Sequence, residues 1–418
     1  MLFNLAKSPN DDIIIYNYSE IKKFLSMYYI MNDPYHVYMD LDVVNNDYSA
    51  TSKPQLRFEE TRNTPFLPGD SADYFCSIIR FNIQTGNTLP VFIPKVQIGQ
   101  SDPNKTIYTA SLQLTENNNN YFGAADVIYS LEDQTAPTPA QPLQTQDLST
   151  NYYYVYNYQH WKYLVNLAII NAWNNLRVSW KAGTNRTDAD WVAKVGGEIN
   201  ASEGRTLIPP YIDFQTDTNR VVLSAPNKQF NGLYQSYPYF GLIFNDRLYE
   251  LFAGLPSRYA VINGSSGYLL RFVDRYTNSY SQKIPKPGST LGETISIDML
   301  YLTQEVTSIA VWNPVASIVF ASSLLPIIPT QTSVPKDVGS SNLLSGGNNS
   351  NLLPILSDFA IAVDSTNQYR PMVEYTPQAE YRLIEMNSTT NLSRIDIIVY
   401  WKDRAGGLHP FQLQPGCA

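Results

Sequence analysis

The side chains from which active sites are most often built are thinly scattered along this chain. His36, His160, His409, Cys76 and Cys417 stand far apart, and none sits beside a partner at the spacing of a metal-ligand set or a nucleophile–base dyad. A zinc ribbon or a multi-bridge disulfide scaffold needs closely spaced pairs, so both are excluded. Asp40 and Asp42 alternate along an extended run and so share a face, with Asp47 following in a turn-rich stretch. Two carboxylates could hold a cation or flank a glycosidic bond. The spacing lacks the central glycine and terminal glutamate of a calcium loop, and a glycosidase pair must face across a cleft of roughly 5–10 Å, so a solvated strand face is expected instead. Asn263-Gly264-Ser265-Ser266-Gly267 comes nearest to a nucleophile elbow but reads as a turn. Phosphate-binding glycine loops and the H-E-x-x-H pattern do not occur. Cys76 lies in an apparent strand, where a buried inert thiol is the usual state. The run Tyr152-Tyr153-Tyr154, with Tyr156, Tyr158 and Trp161, could stack against sugars; anchoring an interface or a helix is the simpler use of such aromatics. No catalytic residue, no cofactor site and no metal site is therefore expected.

The elements that would carry these residues are mostly strands. Apolar and polar residues alternate in Tyr38–Val43, in Tyr108–Leu114 (Tyr108, Ala110, Leu112 and Leu114 on one face), and in eight further runs including Tyr74–Phe81, Val91–Ile93 and Phe359–Val363. Ile395, Ile397, Val399 and Trp401 fall on one side of a run that ends at Asp403-Arg404-Ala405-Gly406-Gly407 and resumes at Leu408–Leu413, which predicts a terminal hairpin with that side facing a core. Three helices are expected. Ser19 caps Glu20–Ser26, and Asn245 caps Asp246–Ala253. A longer one spans residues 158–176, with Trp161, Val165, Ala168, Ala172 and Leu176 at helical spacing despite four asparagines.

Strands joined by loops of unequal length, without a β-α-β rhythm, predict an all-β chain of two antiparallel jelly-roll sandwiches with a few short helices in connecting loops; one jelly roll with large insertions is the alternative. The 418 residues suit two cores of about 200 residues each. The Gly- and Pro-rich stretch Lys194–Pro210 suggests the division: residues 1–30 an arm with a short helix, 31–205 a first jelly roll, and 206–418 a second with a long flexible loop at 336–351.

A net charge of −8 with only 16% charged residues, and no basic cluster, argues against a surface that grips nucleic acid. The first twenty residues lack a basic segment followed by an apolar one, so no secretory export is expected, and no run is apolar enough to span a bilayer. With 31 tyrosines and so few charges, excess apolar surface predicts self-association.

Five segments, Arg80–Ile83 with Leu89–Pro94, Tyr152–Trp173, Phe244–Phe252, Val311–Ile327 and Ile395–Leu413, together resemble the jelly-roll capsid proteins of small eukaryotic viruses. The resemblance implies a non-enzymatic virion shell protein that assembles with itself and other capsid proteins into icosahedral capsomers, trimeric if the chain holds two jelly rolls and pentameric if one. Residues 1–30 hold only Lys7, Lys22 and Lys23 as basic residues, unlike the basic arms of coats that package RNA directly, and this favours the double jelly roll of DNA viruses. The competing class is a non-viral β-sandwich that binds or cleaves carbohydrate.

Overall fold

The computed structural model describes residues 2–7, 37–46, 53–67, 69–148, 150–183, 186–195, 209–215, 217–231, 239–262, 265–272, 278–285, 294–329, 332–333, 353–361, 372–375 and 382–415. The expected helix at Glu20–Ser26, the loop 336–351, His36, Asp47 and Cys417 lie outside these residues.

In chain order, four strands come first: β1 (Leu2–Lys7), β2 (Val37–Asp40), β3 (Arg57–Thr61) and β4 (Tyr74–Gln84). Next come β5 (Lys105–Glu116) and β6 (Asn119–Ile128), helices α1 (Tyr158–Ala182) and α2 (Asp188–Val195), then β7 (Tyr211–Gln215) and β8 (Arg220–Pro226). The short helix α3 (Asn227–Phe230) precedes β9 (Tyr239–Phe244), and α4 (Asp246–Leu251) precedes β10 (Ser257–Ile262), β11 (Ser265–Leu270), β12 (Asn278–Pro285) and β13 (Thr294–Thr303). After α5 (Ile309–Trp312) follow β14 (Val315–Ala321), β15 (Thr332–Ser333), β16 (Leu353–Ala360), β17 (Met372–Tyr375), β18 (Ile384–Glu385), β19 (Arg394–Asp403) and β20 (Leu408–Pro410).

These elements form two compact units, and the division differs from the expected one. One unit is Pro90–Asn313 with Val363–Gln368; the other combines Met1–Leu89, Pro314–Ala362 and Tyr369–Ala418. The Lys194–Pro210 stretch therefore falls inside a unit, between α2 and β7. Gly and Pro mark where the backbone turns, whereas a unit is defined by which strands share a core, and β5, before the stretch, shares one with β8 and β13, after it. The expected N-terminal arm also differs: β1 pairs with both β2 and β4 inside a sheet.

The unit of Pro90–Asn313 holds two antiparallel sheets, β10-β11-β9-β5-β6 and β12-β13-β8-β7. Alternation along β5 is the one read from sequence: Tyr108, Ala110, Leu112 and Leu114 are buried and meet Leu242, Val221, Leu223 and Leu302 in one apolar cluster. Asn117 and Asn118, at φ 48° and 64°, make the tight two-residue turn of the β5–β6 hairpin, a conformation asparagine tolerates better than other side chains. Val91–Ile93 contributes an isolated bridge, Phe92 to Val155, in place of the expected strand.

In the other unit the sheets are β17-β4-β1-β2, with β18 also on β4, and β15-β16-β14-β19-β20, with β3 also on β19. Phe81 of β4 joins them, its ring 4.9 Å from Phe320 of β14 and 5.0 Å from Phe359 of β16. The terminal hairpin forms as expected, with Trp401 opposite His409 and Gly406 at φ 90° in its turn. Ile395, Ile397, Val399 and Trp401 are buried as expected, and the other face of the strand is buried too, through Asp396, Ile398 and Tyr400, with Ile398 and Tyr400 packed in a cluster with Val319, Ile355 and Leu408. A strand buried on both faces has no solvent side to read.

Candidate assembly surface

Among the described residues no group of three or more His, Cys, Asp or Glu side chains is placed to hold a metal ion. Asp40 ends β2 and Asp42 follows it, both exposed. Cys76 is buried in β4, and burial pushes its thiol up to about 12, so it stays protonated and unreactive. Ser265 and Ser266 lie in β11, paired with Ile262 and Val261 of β10, and Asn263 and Gly264 lie outside the described residues. His160 sits in the first turn of α1 with Nε2 2.6 Å from the carbonyl of Ser130, edge-on to Tyr129.

Sequence reasoning missed two polar clusters. His409 places Nε2 2.9 Å from Asp403 Oδ2 and stacks on Trp401, while Asp403 Oδ1 accepts the Gly407 N–H at 2.8 Å. Both carboxylate oxygens thus close the hairpin turn. Only the turn brings the pair together, so a hairpin prediction carried through to its cross-strand partners would have found it. The other cluster is the fully buried Asp396. It accepts bonds from the Ser322 and Ser323 hydroxyls at 2.5 and 2.6 Å and from the backbone N–H groups of Ser323 and Leu324 at 3.0 and 2.9 Å. A buried carboxylate that accepts this many bonds fixes a chain crossing.

The tyrosine run is also interior. Tyr152, Tyr153, Tyr154 and Tyr156 are all buried, which leaves no sugar-stacking platform there. Tyr129 donates to the carbonyl of Tyr152 at 2.8 Å, Tyr152 to Asn104 at 2.8 Å and Tyr153 to the carbonyl of Pro103 at 2.9 Å. Burial above all raises the Tyr129 and Tyr153 hydroxyls well beyond the usual phenol range, so they remain donors. These rings hold the segment that leads into α1, where Asn157 caps the first turn by accepting the His160 N–H at 2.8 Å.

Helix α1 is the element on which the outward surface is built. It runs six residues beyond its expected end, to Ala182, and lies along the edges of both sheets. Gly123 of β6 lets it approach backbone to backbone: a Cβ there would stand 2.1 Å from Leu176 N and 2.2 Å from the Ala172 carbonyl. Asn175 Nδ2 donates to the Ala124 carbonyl of β6 at 2.8 Å. On the other sheet, Asn166 Nδ2 donates to the Ile212 carbonyl of β7 at 2.8 Å and its Oδ1 accepts the Ile212 N–H at 2.7 Å. The asparagines that lower helix propensity thus complete two strand edges that would otherwise present open backbone groups.

The opposite face of α1 is exposed, and from Tyr163 to Ile170 it carries no charge. Tyr163, Leu167, Ile170 and Val178 follow one another along it at helical spacing, with Gln159, Asn171 and Asn174 between or beside them. The three cationic residues of the helix are in ion pairs, Lys162 to the side of this face with Asp213 at 2.9 Å, and Arg177 and Lys181 at its C-terminal end with Asp188 at 3.8 and 2.9 Å. An uncharged, Tyr-containing apolar face has the composition of an interface centre. No helix among the described residues is long and apolar enough to cross a membrane.

Two units of paired antiparallel sheets define an all-β sandwich protein, and its relatives make that class the structural proteins of a viral capsid. Residues 37–418 match the family described as Sputnik minor capsid protein V18/19, and the chain belongs to that family. Structural protein V19 of the Sputnik virophage is 29% identical over 119 residues, 28% of this chain and 51% of V19, so the match spans about half the length of that relative. Protein V18 of the same virophage, described as uncharacterized, is 30% identical over 150 residues, 34% of this chain and 86% of V18. A chain in the 3.5 Å cryo-EM structure of the Sputnik virophage has the same fold, with a TM-score of 0.62 at 21% identity, covering 90% of this chain and 94% of that one.

Proposed function

We propose that this chain is a non-enzymatic subunit of an icosahedral virion, where it self-associates into capsomers and meets other capsid proteins at the capsomer rim. The observation that carries the reading is the family match over residues 37–418, which embraces most of both units. The uncharged stretch from Tyr163 to Ile170 on the outer face of α1 adds a surface suited to contact with another subunit. Three or five copies close such a capsomer. The word "minor" in the family description favours five, because an icosahedral shell has few fivefold positions and many others. Nothing in the geometry of the buried tyrosine run favours the carbohydrate reading.

The test is sedimentation and negative-stain microscopy of the purified chain at micromolar concentration. Rings of defined copy number are expected, and five copies distinguish a vertex component from a trimeric one. A stable monomer that stays out of shells when mixed with the other capsid proteins would overturn the reading.

A further inference from the structure

In the sheet β17-β4-β1-β2, strand β1 stands between β4 and β2. Residues 2–5 pair with residues 37–40 of β2 on one side, and residues 2–7 with residues 74–80 of β4 on the other. Among the described strands β2 pairs with nothing else, so β1 is what joins it to the sheet. The slot that β1 fills is apolar at alternate positions. Met39 and Ile78 flank position 3, and Val37 and Cys76 flank position 5; Met39, Ile78 and Cys76 are buried. The sequence places Phe3 and Leu5 at those two positions. Left empty, the slot would present two unpaired strand edges beside apolar side chains, an arrangement folded proteins avoid.

The connection from β1 to β2 is out of proportion to the gap it crosses. Leu5 stands opposite Val37, so Lys7 and Val37 lie at the same end of two adjacent antiparallel strands, about 5 Å apart across the ladder. A loop of 2–5 residues closes such a pair. This chain has residues 8–36 there, twenty-nine in all. That many residues span about 30 Å as a coil and about 95 Å fully extended, which brackets the width of roughly 40 Å of a folded unit of about 190 residues. The family match adds a second observation. It begins at Val37, the first residue of β2, so β1 and its connection stand outside what the chain shares with that family.

Resting on the reading of the chain as a self-associating shell subunit, we infer that β1 is exchanged between copies, residues 2–7 of each filling the slot between β2 and β4 of a neighbour. The contact between copies is then the pairing seen within one chain, in the same register and with the same apolar positions, so no second surface has to be complementary. Every strand bond is kept, and the two arrangements differ in how the connection is closed. A tight turn would give the chain's own slot a decisive advantage. Twenty-nine residues remove it: in an assembled ring the neighbour's slot lies within reach, at an effective concentration on the order of mM like that of the chain's own. Exchange gives the extra length a use, since it ties together copies that have already met.

The test reads which copy supplies the strand. Asn4 pairs with Tyr38, which is exposed, and in a Cys417→Ser background the remaining thiol, Cys76, is buried. The full chain carrying both Asn4→Cys and Tyr38→Cys is treated with a short bis-maleimide and run on a denaturing gel, beside native mass spectra of the untreated double variant and parent. A ladder of covalent oligomers is expected from the double variant, and covalent dimers from the two single variants co-expressed. Each single variant expressed alone should stay monomeric on the gel. A double variant that assembles in the native spectra yet is cross-linked only within single chains overturns the exchange and leaves the shell reading in place. A ladder formed equally by a single variant alone overturns the exchange as well, because the thiols then meet outside the slot. No cross-link of either kind removes β1 from the slot, and the exchange with it. A parent that is monomeric in the native spectra overturns both the exchange and the shell reading.

Discussion

Asn166 treats Ile212 as one strand treats its neighbour. Its Oδ1 accepts the Ile212 N–H at 2.7 Å and its Nδ2 donates to the Ile212 carbonyl at 2.8 Å, so a single helical side chain supplies the two bonds that a fifth strand beside β7 would give. Asn166→Leu leaves both backbone groups of Ile212 without that partner, in a part-buried position. The expected cost is about 1–3 kcal/mol, read as a lowered midpoint in urea unfolding. Asn171→Leu on the exposed face should leave the midpoint unchanged, and equal midpoints for the two variants would remove the edge-completing role from Asn166.

Gly123 makes a sharper prediction, because the neighbours it faces are backbone atoms that cannot rotate away. Ala in its place puts Cβ 2.1 Å from Leu176 N and 2.2 Å from the Ala172 carbonyl, and α1 must shift bodily off β6. A loss of roughly 3 kcal/mol or more is expected, seen as a large drop in thermal midpoint or in soluble yield. A normal melt for Gly123→Ala would show that the helix does not ride this close to the strand.

What the sequence made legible follows from which signals are local. The half-buried β5 was readable from alternation because one of its faces meets solvent or intermediate surroundings, and the core residues of α1 were readable from helical spacing. The last six residues of α1 were not, because Arg177-Val178-Ser179-Trp180 alternates polar and apolar as a strand does, and it is the packing of Trp180 on Trp191 that shows which side is buried. The division into units was hidden for a related reason. β17, β18 and β19 return to pair with β4 and β3 after the more than 200 residues of the other unit, and Val373 of β17 opposite Ile83 of β4 is a contact no local pattern announces. The acid–histidine pair of the hairpin was hidden by one turn only, and the outer stripe of α1 was visible as apolar residues but not as exposed ones.

The facing of β19 can be tested directly. Trp401→Ala should cost roughly 3–5 kcal/mol as a large-to-small core change. If the strand is buried on both faces, Ile398→Ala should also cost about 2–5 kcal/mol, since Ile398 packs with Val319, Ile355 and Leu408. Gln412→Ala, half-buried beside the bridge from Gln412 to Gln55, should be near neutral. Thermal melts of the three variants decide it: a neutral Ile398→Ala would restore the single-faced strand.

Nucleic-acid affinity should be weak at physiological salt. The chain carries a net charge of −8, and the cations along α1 are already opposite Asp213 and Asp188, so few counterions are released on contact with phosphate. Fluorescence anisotropy with random single- and double-stranded DNA should show no submicromolar binding at that salt. Tight binding with a steep salt slope would mean that a basic surface has been overlooked.

Alkaline pH should loosen the fold through groups buried in their neutral form. Burial raises Cys76 from 9.0 to about 12 and Tyr108 from 10.0 to about 12, and it raises Tyr129 and Tyr153 further. Because the folded values lie above the unfolded ones, the stability these groups contribute is fully present below pH 9 and is lost as the pH climbs from 9 toward 12. Each proton held by the folded state alone adds about 1.4 kcal/mol of loss per pH unit within its window. Urea midpoints measured from pH 7 to 11 should be flat to about 9 and fall beyond it, and Cys76→Ala should delay the start of the fall. In a Cys417→Ser background, a thiol-directed maleimide at pH 8 should leave the folded chain unlabelled and label it fully in urea. Rapid labelling without denaturant would place Cys76 at the surface and remove its part of the alkaline transition.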